Sequence, residues 1–536
     1  MSLLDIVSTE DEQFMENYPK IMKKIEKKKL IAKDSNIDEI NRVYEIINDY
    51  IKINKRKVYG GYALNKLLIA KNPSLAIYDE TDVPDIEFYS SVPLDDLVKL
   101  CNILNDAGFK NVVGQEAQHK ETYSIFVNFQ LYCDISYMPS NIYNKIRYIK
   151  YDDFNLVHPW FMAIDFFRMF TDPMISYWRL EKHFSRYLKL QKTYPLPLII
   201  KPLDLKPFKN DILNSIINLF QDFLSEKSSI IFTGFYIYNY YLVFSKYNKK
   251  DTRFSQIQLP YLEVYSSEYV TDGLSIIEFI KSLEEELSSK ITYKEFYPFF
   301  QFYGFNSVFY YNDGEDLIPI LYLYSNSKKC IPFKQVPYIQ FNNITIKYTR
   351  TNSMCNIGSF DFNILHALII LVKIRVDDDN DWNDLLYTLI NGFVAFRKFY
   401  FSQNKKTLYD DSIFEGFVVD YKGESISPEK ERRMLIQVRK KLGKPAIYRY
   451  EPGVSKEPGP YYFVNSSGNI INNKLNLKLT EVNIDKKDEE LIELEVLNQL
   501  KNNDEEKEDE KNNTEIIEEK EKNNSEIIEE EIFYEE

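Results

Sequence analysis

The sequence predicts an α+β chain built from two tandem copies of one unit, each a mixed sheet with flanking helices. The first copy reads as complete and the second as degenerate, between a helical N-terminal segment and an acidic C-terminal tail. Three observations carry this. A strand, a glycine turn, a helix and an acidic strand follow one another over 58–90. The same pattern returns over 230–266 without most of its acids, and the last fifty residues abandon apolar patterning for charge.

Residues 9–33 form a polar, lysine-rich stretch that reads as helix. Asn36 or Asp38 then caps a second helix with Ile40, Val43, Ile46, Ile47 and Tyr50 on its apolar face. The run LysIleAsnLysArgLys (52–57) closes this segment, 1–54, as a solvated helix end or a phosphate contact. In VYGGYALNKLL (58–68), Val58-Tyr59 ends a short strand and Gly60-Gly61 turns without side-chain crowding. Tyr62 to Lys71 has helical spacing, with Leu64, Leu67 and Leu68 on one face. A glycine pair opening a helix lets backbone N–H groups approach a phosphate at the positive end of the dipole.

In PDIEFYS (84–90), period 2 puts Asp85 and Glu87 on one strand face and Ile86 and Phe88 on the other. Acids so spaced lie about 7 Å apart along the backbone, near enough to share divalent cations. Asp79, Glu80 and Asp82 offer a competing register, but they sit in a polar run before Pro84 and read as loop. Residues 93–108 read as helix and 120–138 as two paired strands. In LYCDISY (131–137), Asp134 falls on the polar face. Three acids from two strands beside a phosphate-cradling turn suit two-metal phosphoryl transfer.

This order, an hG[GS] turn, then [DE]h[DE]h, then a third acid, resembles the polymerase-β-like nucleotidyltransferases. Residues 158–192 read as helical, with Arg168, Arg179, Lys182, His183, Arg186 and Lys189 forming a cationic face in the second half. Within it, T-D-P-x-x-S-Y-W-R-x-E-K (Thr171 to Lys182) resembles a segment of poly(A) polymerases of large DNA viruses. The resemblance covers roughly residues 40–450. It implies a catalytic domain over 55–195 and a degenerate nucleotidyltransferase-like domain over 196–482.

In the second copy Thr233-Gly234 stands where Gly60-Gly61 stood, Tyr261 where Asp85 was and Glu263 where Glu87 was. LIPILYLYS (317–325) puts Ile320 or Leu321 at the position of Asp134. Two metal ions could not be held by Glu263 alone, so this copy reads as a scaffold for RNA or a partner. Ile364–Val376 and Trp382–Phe399 read as its helices. Residues 428–450 are the most basic stretch. Arg432, Arg433, Arg439, Lys440 and Lys441 beside Tyr448 and Tyr450 suit single-stranded RNA through phosphate attraction and stacking.

Charge and composition bound the rest. The chain has 81 acids and 67 Lys and Arg, a net charge of −14, yet 22 acids and 7 Lys lie from Asp485 onward. The body before it is therefore nearly neutral, and the tail (483–536), which repeats NNTEIIEE and NNSEIIEE at an eleven-residue period, is expected to be disordered. Four scattered cysteines without a C-x-x-C pair, and four dispersed histidines, argue against zinc and disulfides. No apolar run is long enough to span a bilayer and the N-terminus does not read as a signal peptide, so an intracellular protein is expected.

The resemblance implies a template-independent poly(A) polymerase acting in mRNA polyadenylation. Asp85, Glu87 and Asp134 would be the catalytic residues and ligands of two Mg²⁺ or Mn²⁺ ions. Gly60, Gly61, Arg168 and Lys182 would contact ATP, and an RNA 3′ end would be the acceptor. A homodimer or a processivity partner, and a cytoplasmic viral factory or virion as location, belong to the same expectation. A CCA-adding or uridylyl-transferring enzyme and a non-catalytic RNA-binding scaffold are the alternatives.

Overall fold

The protein is described by a computed structural model covering residues 18–25, 37–78, 82–198, 211–247, 254–296, 304–325, 329–342, 345–347, 353–373, 380–404, 411–441, 443, 445–455, 462–464 and 470–472. The acidic tail and most of the N-terminal lysine-rich stretch, of which 18–25 is helical, lie outside these residues. Everything to Ser455 belongs to one compact unit. A separate unit contributes a hairpin of Tyr462–Val464 and Ile470–Asn472.

Helix α1 (Ile37–Ile53) buries Ile40, Val43, Ile47, Tyr50 and Ile51, the stripe its periodicity predicts, with Ile46 at the margin. It delivers the chain to β1 (Lys57–Tyr59). The basic run entering β1 is structural in part. Arg56 pairs with buried Asp96 at 2.6 Å, and the buried Lys57 amine donates to the carbonyls of Tyr143 and Ile146.

Helix α2 (Gly60–Lys71) follows without a linker, starting two residues earlier than its sequence pattern suggests. Next come β2 (Ile86–Ser90), α3 (Pro93–Asp106), β3 (Val113–Glu116), β4 (Thr122–Val127), β5 (Gln130–Tyr137), β6 (Tyr148–Tyr151) and β7 (Phe154–Val157). They form a sheet in the order β3-β4-β5-β2-β1-β7-β6. Helices α4 (Pro159–Phe170) and α5 (Leu180–Thr193) complete the first copy.

The second copy repeats this plan strand for strand. Its strands are β8 (Ile230–Thr233), β9 (Leu262–Ser266), β10 (Ile291–Phe296), β11 (Asn306–Asn312), β12 (Leu317–Ser325), β13 (Ile331–Pro337) and β14 (Met354–Gly358). They lie in the order β10-β11-β12-β9-β8-β14-β13. In each copy the first and second strands are antiparallel, while the first and last, and the second and fifth, run parallel. Helices α6 (Phe235–Ser245), α7 (Tyr269–Ser282) and α8 (Phe360–Val372) match α2, α3 and α4, and α4 packs on α8 to join the halves.

The pairing register corrects two sequence expectations. Tyr59 faces Glu87 and Thr233 faces Glu263, so Gly234 matches Gly60 and Phe235 matches Gly61, one residue away from the predicted correspondence. Glu87 lies opposite Asp134 and Glu263 opposite Tyr322, so Tyr322, not Ile320 or Leu321, occupies the third-acid position. The strand 317–325 is largely apolar or aromatic on both faces, and period 2 cannot fix its phase.

Helix α9 (Asn380–Asn404) packs on α6 and α8. The chain then adds the short strand Tyr421–Lys422 beside β13 and leaves the second copy. Helix α10 (Pro428–Lys441) and the strand Arg449–Tyr450 return to the first sheet, where that strand pairs with β3. Arg439, only 6% exposed, donates to both oxygens of Glu116 at 2.5 and 3.1 Å. Glu116 also accepts from Tyr448 N–H at 3.3 Å. A buried carboxylate stripped of its guanidinium is costly, so Arg439→Ala is expected to destabilise the protein by about 3–5 kcal/mol. Adding Glu116→Ala should recover part of the loss, as measured by urea unfolding.

Candidate active site

The acids converge because adjacent strands carry them in register. Glu87 on β2 stands directly across from Asp134 on β5, and Asp85 precedes β2 by one residue on the same face as Glu87. Backbones of neighbouring strands are about 4.8 Å apart, so the two carboxylates share one patch of sheet. Tyr44 on α1 donates its hydroxyl to the Pro84 carbonyl and so ties down the approach to Asp85.

The Gly-Gly turn is bound into the same site. Gly60 has φ +69°, and a methyl group there would collide with the Glu87 carboxylate. Glycine is needed for both the backbone conformation and the space. Gly61 N–H donates to Glu87 Oε2 at 3.0 Å, and Ser124 Oγ donates to Asp134 Oδ1 at 2.5 Å. Above the helix start stand Tyr78 and Arg186. A methyl on Gly61 would strike the Tyr78 hydroxyl and come within 3.2 Å of Arg186 Nη1. The guanidinium lies 5.2 Å from the Tyr78 ring centre.

Burial and mutual repulsion shape the protonation of these acids. Burial, then Asp85, pushes the Glu87 carboxyl up to about 8, with Asp134 and Asp165 adding to the rise and Gly61 N–H opposing it. Asp134 is pushed up to about 6 by burial and Asp85, against the pull of Ser124. Lys182 is exposed. Its amine is pushed below its ordinary value by desolvation and by Arg186 and Arg179, while Asp85 and Asp82 draw it the other way. Arg168 Nη1 lies 3.4 Å from Asp165 Oδ1 on the same helix. Lys182 and Arg168 therefore flank the acids, whereas Arg439 on α10 is occupied by Glu116 and is a structural clasp in place of the expected RNA contact. On that helix Arg433, Lys440 and Lys441 are exposed, and Arg432 is half-buried.

Arg186, on the cationic face read from the sequence, stands at the glycine turn. Tyr78 and Ser124 were not singled out, and no local signal marks them. Asp165 is a subtler case. It lies seven residues past the helix cap His158, as His366 lies seven past Ser359 in the second copy. There His366 Nε2 sits 3.1 Å from Glu263 Oε1, and its other ring nitrogen is 3.3 Å from the Tyr265 hydroxyl. The lone surviving acid of the second copy is thus engaged by an imidazole. Across from it are Thr233 and Tyr322, where the first copy has Tyr59 and Asp134.

Comparisons with known proteins give the family. A family model for "Poly(A) polymerase catalytic subunit" matches residues 45–176. A second, "APMV, Putative poly(A) polymerase, catalytic subunit, C-terminal", matches 188–481, more than half of the chain. The chain belongs to the viral poly(A) polymerase catalytic subunit family. Among poly(A) polymerase relatives, the "Putative poly(A) polymerase catalytic subunit" of Acanthamoeba polyphaga mimivirus is 33% identical over 483 residues, spanning 85% of this chain and 81% of that one. A protein of the same description from African swine fever virus (isolate Pig/Kenya/KEN-50/1950) is 31% identical over 193 residues, 34% of this chain and 40% of its own. The crystal structure of the Megavirus polyadenylate synthase superposes with a TM-score of 0.76 at 31% identity, covering 88% of this chain and 94% of that one. Membership makes this chain a nucleotidyltransferase, a template-independent poly(A) polymerase that uses ATP and divalent metal. No helix among the described residues is long and apolar enough to cross a membrane.

The raised Glu87 carboxyl gives a signed prediction. The unfolded chain ionises Glu87 near 4.5 and the folded chain only near 8. The folded state therefore holds the extra proton between those values, and stability falls as pH rises through that window. In metal-free buffer, Glu87→Gln should stabilise the protein at pH 8 by on the order of 1–3 kcal/mol and change it little at pH 4.5. Thermal unfolding with chelator at the two pH values checks this.

Proposed function

We propose that Asp85, Glu87 and Asp134 hold two Mg²⁺ or Mn²⁺ ions and join the 3′ end of an RNA to the α-phosphate of ATP. The observation that carries this is the register that sets Glu87 opposite Asp134 and beside Gly60. The donor set fits such ions. It consists of carboxylate oxygens, which suit hard divalent cations, and its crowding raises two carboxyls in a way that bound positive charge would reverse. Among the described residues no three such side chains close on one point at ligand spacing. Gly61 N–H and Ser124 Oγ each hold one carboxylate oxygen, so loading would draw Glu87 off the turn. When bound, the ions supply the charge that lowers the pKa of the RNA 3′-hydroxyl and balances the leaving pyrophosphate.

The chain's own residues do the positioning. The Gly60-Gly61 turn and the start of α2 offer N–H groups to the triphosphate, with Arg186 and Lys182 as its cationic partners. Arg168, close to the acids through Asp165, is a further nucleotide contact. The 3′-oxygen forms a bond to the α-phosphorus, the α–β bridging bond breaks, and pyrophosphate leaves in line. Arg432, Arg433, Lys440 and Lys441 on α10 are assigned to more distal RNA. We further assign the enzyme to mRNA polyadenylation in a cytoplasmic viral factory or virion. A homodimer or a processivity partner belongs to the same reading, which light scattering with and without RNA would test.

Extension of a labelled oligo-RNA with each nucleotide triphosphate separately, with and without Mg²⁺ or Mn²⁺, tests the reading. Long tails with ATP alone are expected. Asp85→Ala, Glu87→Ala or Asp134→Ala should each cut kcat by roughly three orders of magnitude, the loss of several kcal/mol of charge stabilisation. Incorporation of CTP or UTP would keep the site and change the product. RNA binding without incorporation would make the chain a scaffold.

A further inference from the structure

The turn between α4 and α5 carries a surface that the nucleotide site does not use. Tyr177 is 72% exposed, Trp178 64% and Met174 68%, neighbours in one short segment. The Arg179 guanidinium lies 4.1 Å from the Trp178 ring centre, and Arg179 has no carboxylate partner among the described residues.

Two cations from other elements, Arg168 of α4 and Lys329, and one neutral imidazole gather beside it. The His119 imidazole, in the turn between β3 and β4, is pushed below its ordinary value by burial and by Arg179, Lys329 and Arg168. Lys329 comes from the second copy, just before β13. Its amine is pushed down by burial and by Arg168, and it makes no hydrogen bond or ion pair among the described residues. Asp172 and Glu431 draw it the other way without an ion pair among the described residues, and Cys330, the next residue, donates its Sγ to Asp172 Oδ1 at 3.5 Å, which sets Lys329 beside this turn. A bound anion would offset the remaining cost of burying the ammonium. The surface also leads somewhere. One turn further along α5, Lys182 feels Asp85, and four residues on, Arg186 stands at Gly61.

Exposed π-faces beside cations match one polymer closely. Single-stranded nucleic acid presents a base face and a phosphate at every step. A flat lipid surface would meet the exposed aromatics but not the partly buried Lys329 between the two copies.

We propose that Tyr177, Trp178 and Arg179, with Lys329 from the second copy, form the platform for the 3′-terminal segment of single-stranded RNA. Bases stack on Trp178 and Tyr177, and backbone phosphates meet Arg179 and Lys329. The proposal rests on an RNA 3′ end being the acceptor at the acids. It gives the degenerate copy a direct part in holding substrate.

The test uses the full chain and a fluorescent oligo-RNA, reading RNA Kd by anisotropy and KM for RNA and ATP separately. Trp178→Ala should raise the RNA Kd and RNA KM by about 5- to 150-fold, the range for one lost base stack. The ATP KM and kcat at saturating RNA should hold, and Trp178→Phe should restore most of the affinity. Lys329→Gln should reduce the slope of log Kd against log salt by about 0.7, one single-strand phosphate contact. Both side chains are at least partly solvent-facing, and an unchanged melting temperature would show that the variants fold. Unchanged RNA affinity in both variants would overturn the platform. So would a shift in the ATP KM alone, which would make this a nucleotide site. Lost self-association at unchanged RNA affinity would overturn it too, by making the patch a protein interface. Wild-type protein that neither binds nor extends the RNA would remove the acceptor reading itself, and the platform with it.

Discussion

Glu87 sits at the crossing of three constraints, and the rest of the first copy is arranged around satisfying them. Its strand must pair with β1 so that Tyr59 falls opposite it, and with β5 so that Asp134 does. Its carboxylate needs the volume that a side chain at Gly60 would take, and it accepts the first free N–H of α2. A one-residue slip of β2 would turn the acid into the core and bring Phe88 to the site. The apolar residues Ile86 and Phe88, fully buried on the other face, hold the register against that slip. Hydrophobic burial thus fixes in place a group of like charges that repel one another.

The second copy shows the same frame without that demand. Gly234 keeps a positive φ of 64°, and a methyl there would still collide with Glu263. The frame therefore outlasts the chemistry. With tyrosines at the two vacated acid positions, Glu263 has an imidazole neighbour where Glu87 has carboxylates. The two halves pack together through α4 and α8.

Much of this was readable from residue order. The glycine turn, the D-x-E strand and Asp134 each leave a local mark, in the absence of side chains or in period-2 alternation, and the structure sets Glu87 opposite Asp134 and against the glycine turn. The limits were also physical. β12 is apolar or aromatic on both faces, so alternation could not place Tyr322. His366 lies in a helix buried on nearly all sides, where no polar stripe announces it. Ser124 and Tyr78 act through positions that only the tertiary fold defines. The basic helix α10 misled for a related reason. A cation count does not reveal which guanidinium meets a buried glutamate 323 residues earlier in the chain.

That long-range clasp also sets a timetable. The first sheet gains its outer strand only from Arg449–Tyr450, so the polymerase half made early in translation waits for nearly the whole folded body to emerge. At about 5–20 residues per second the interval between Gln115 and its partner Arg449 is on the order of tens of seconds. Until then β3 is an exposed edge, open to strand pairing with other nascent chains. A chain cut short before that point would keep seven strands of the first sheet but leave its edge uncovered and Glu116 without its guanidinium.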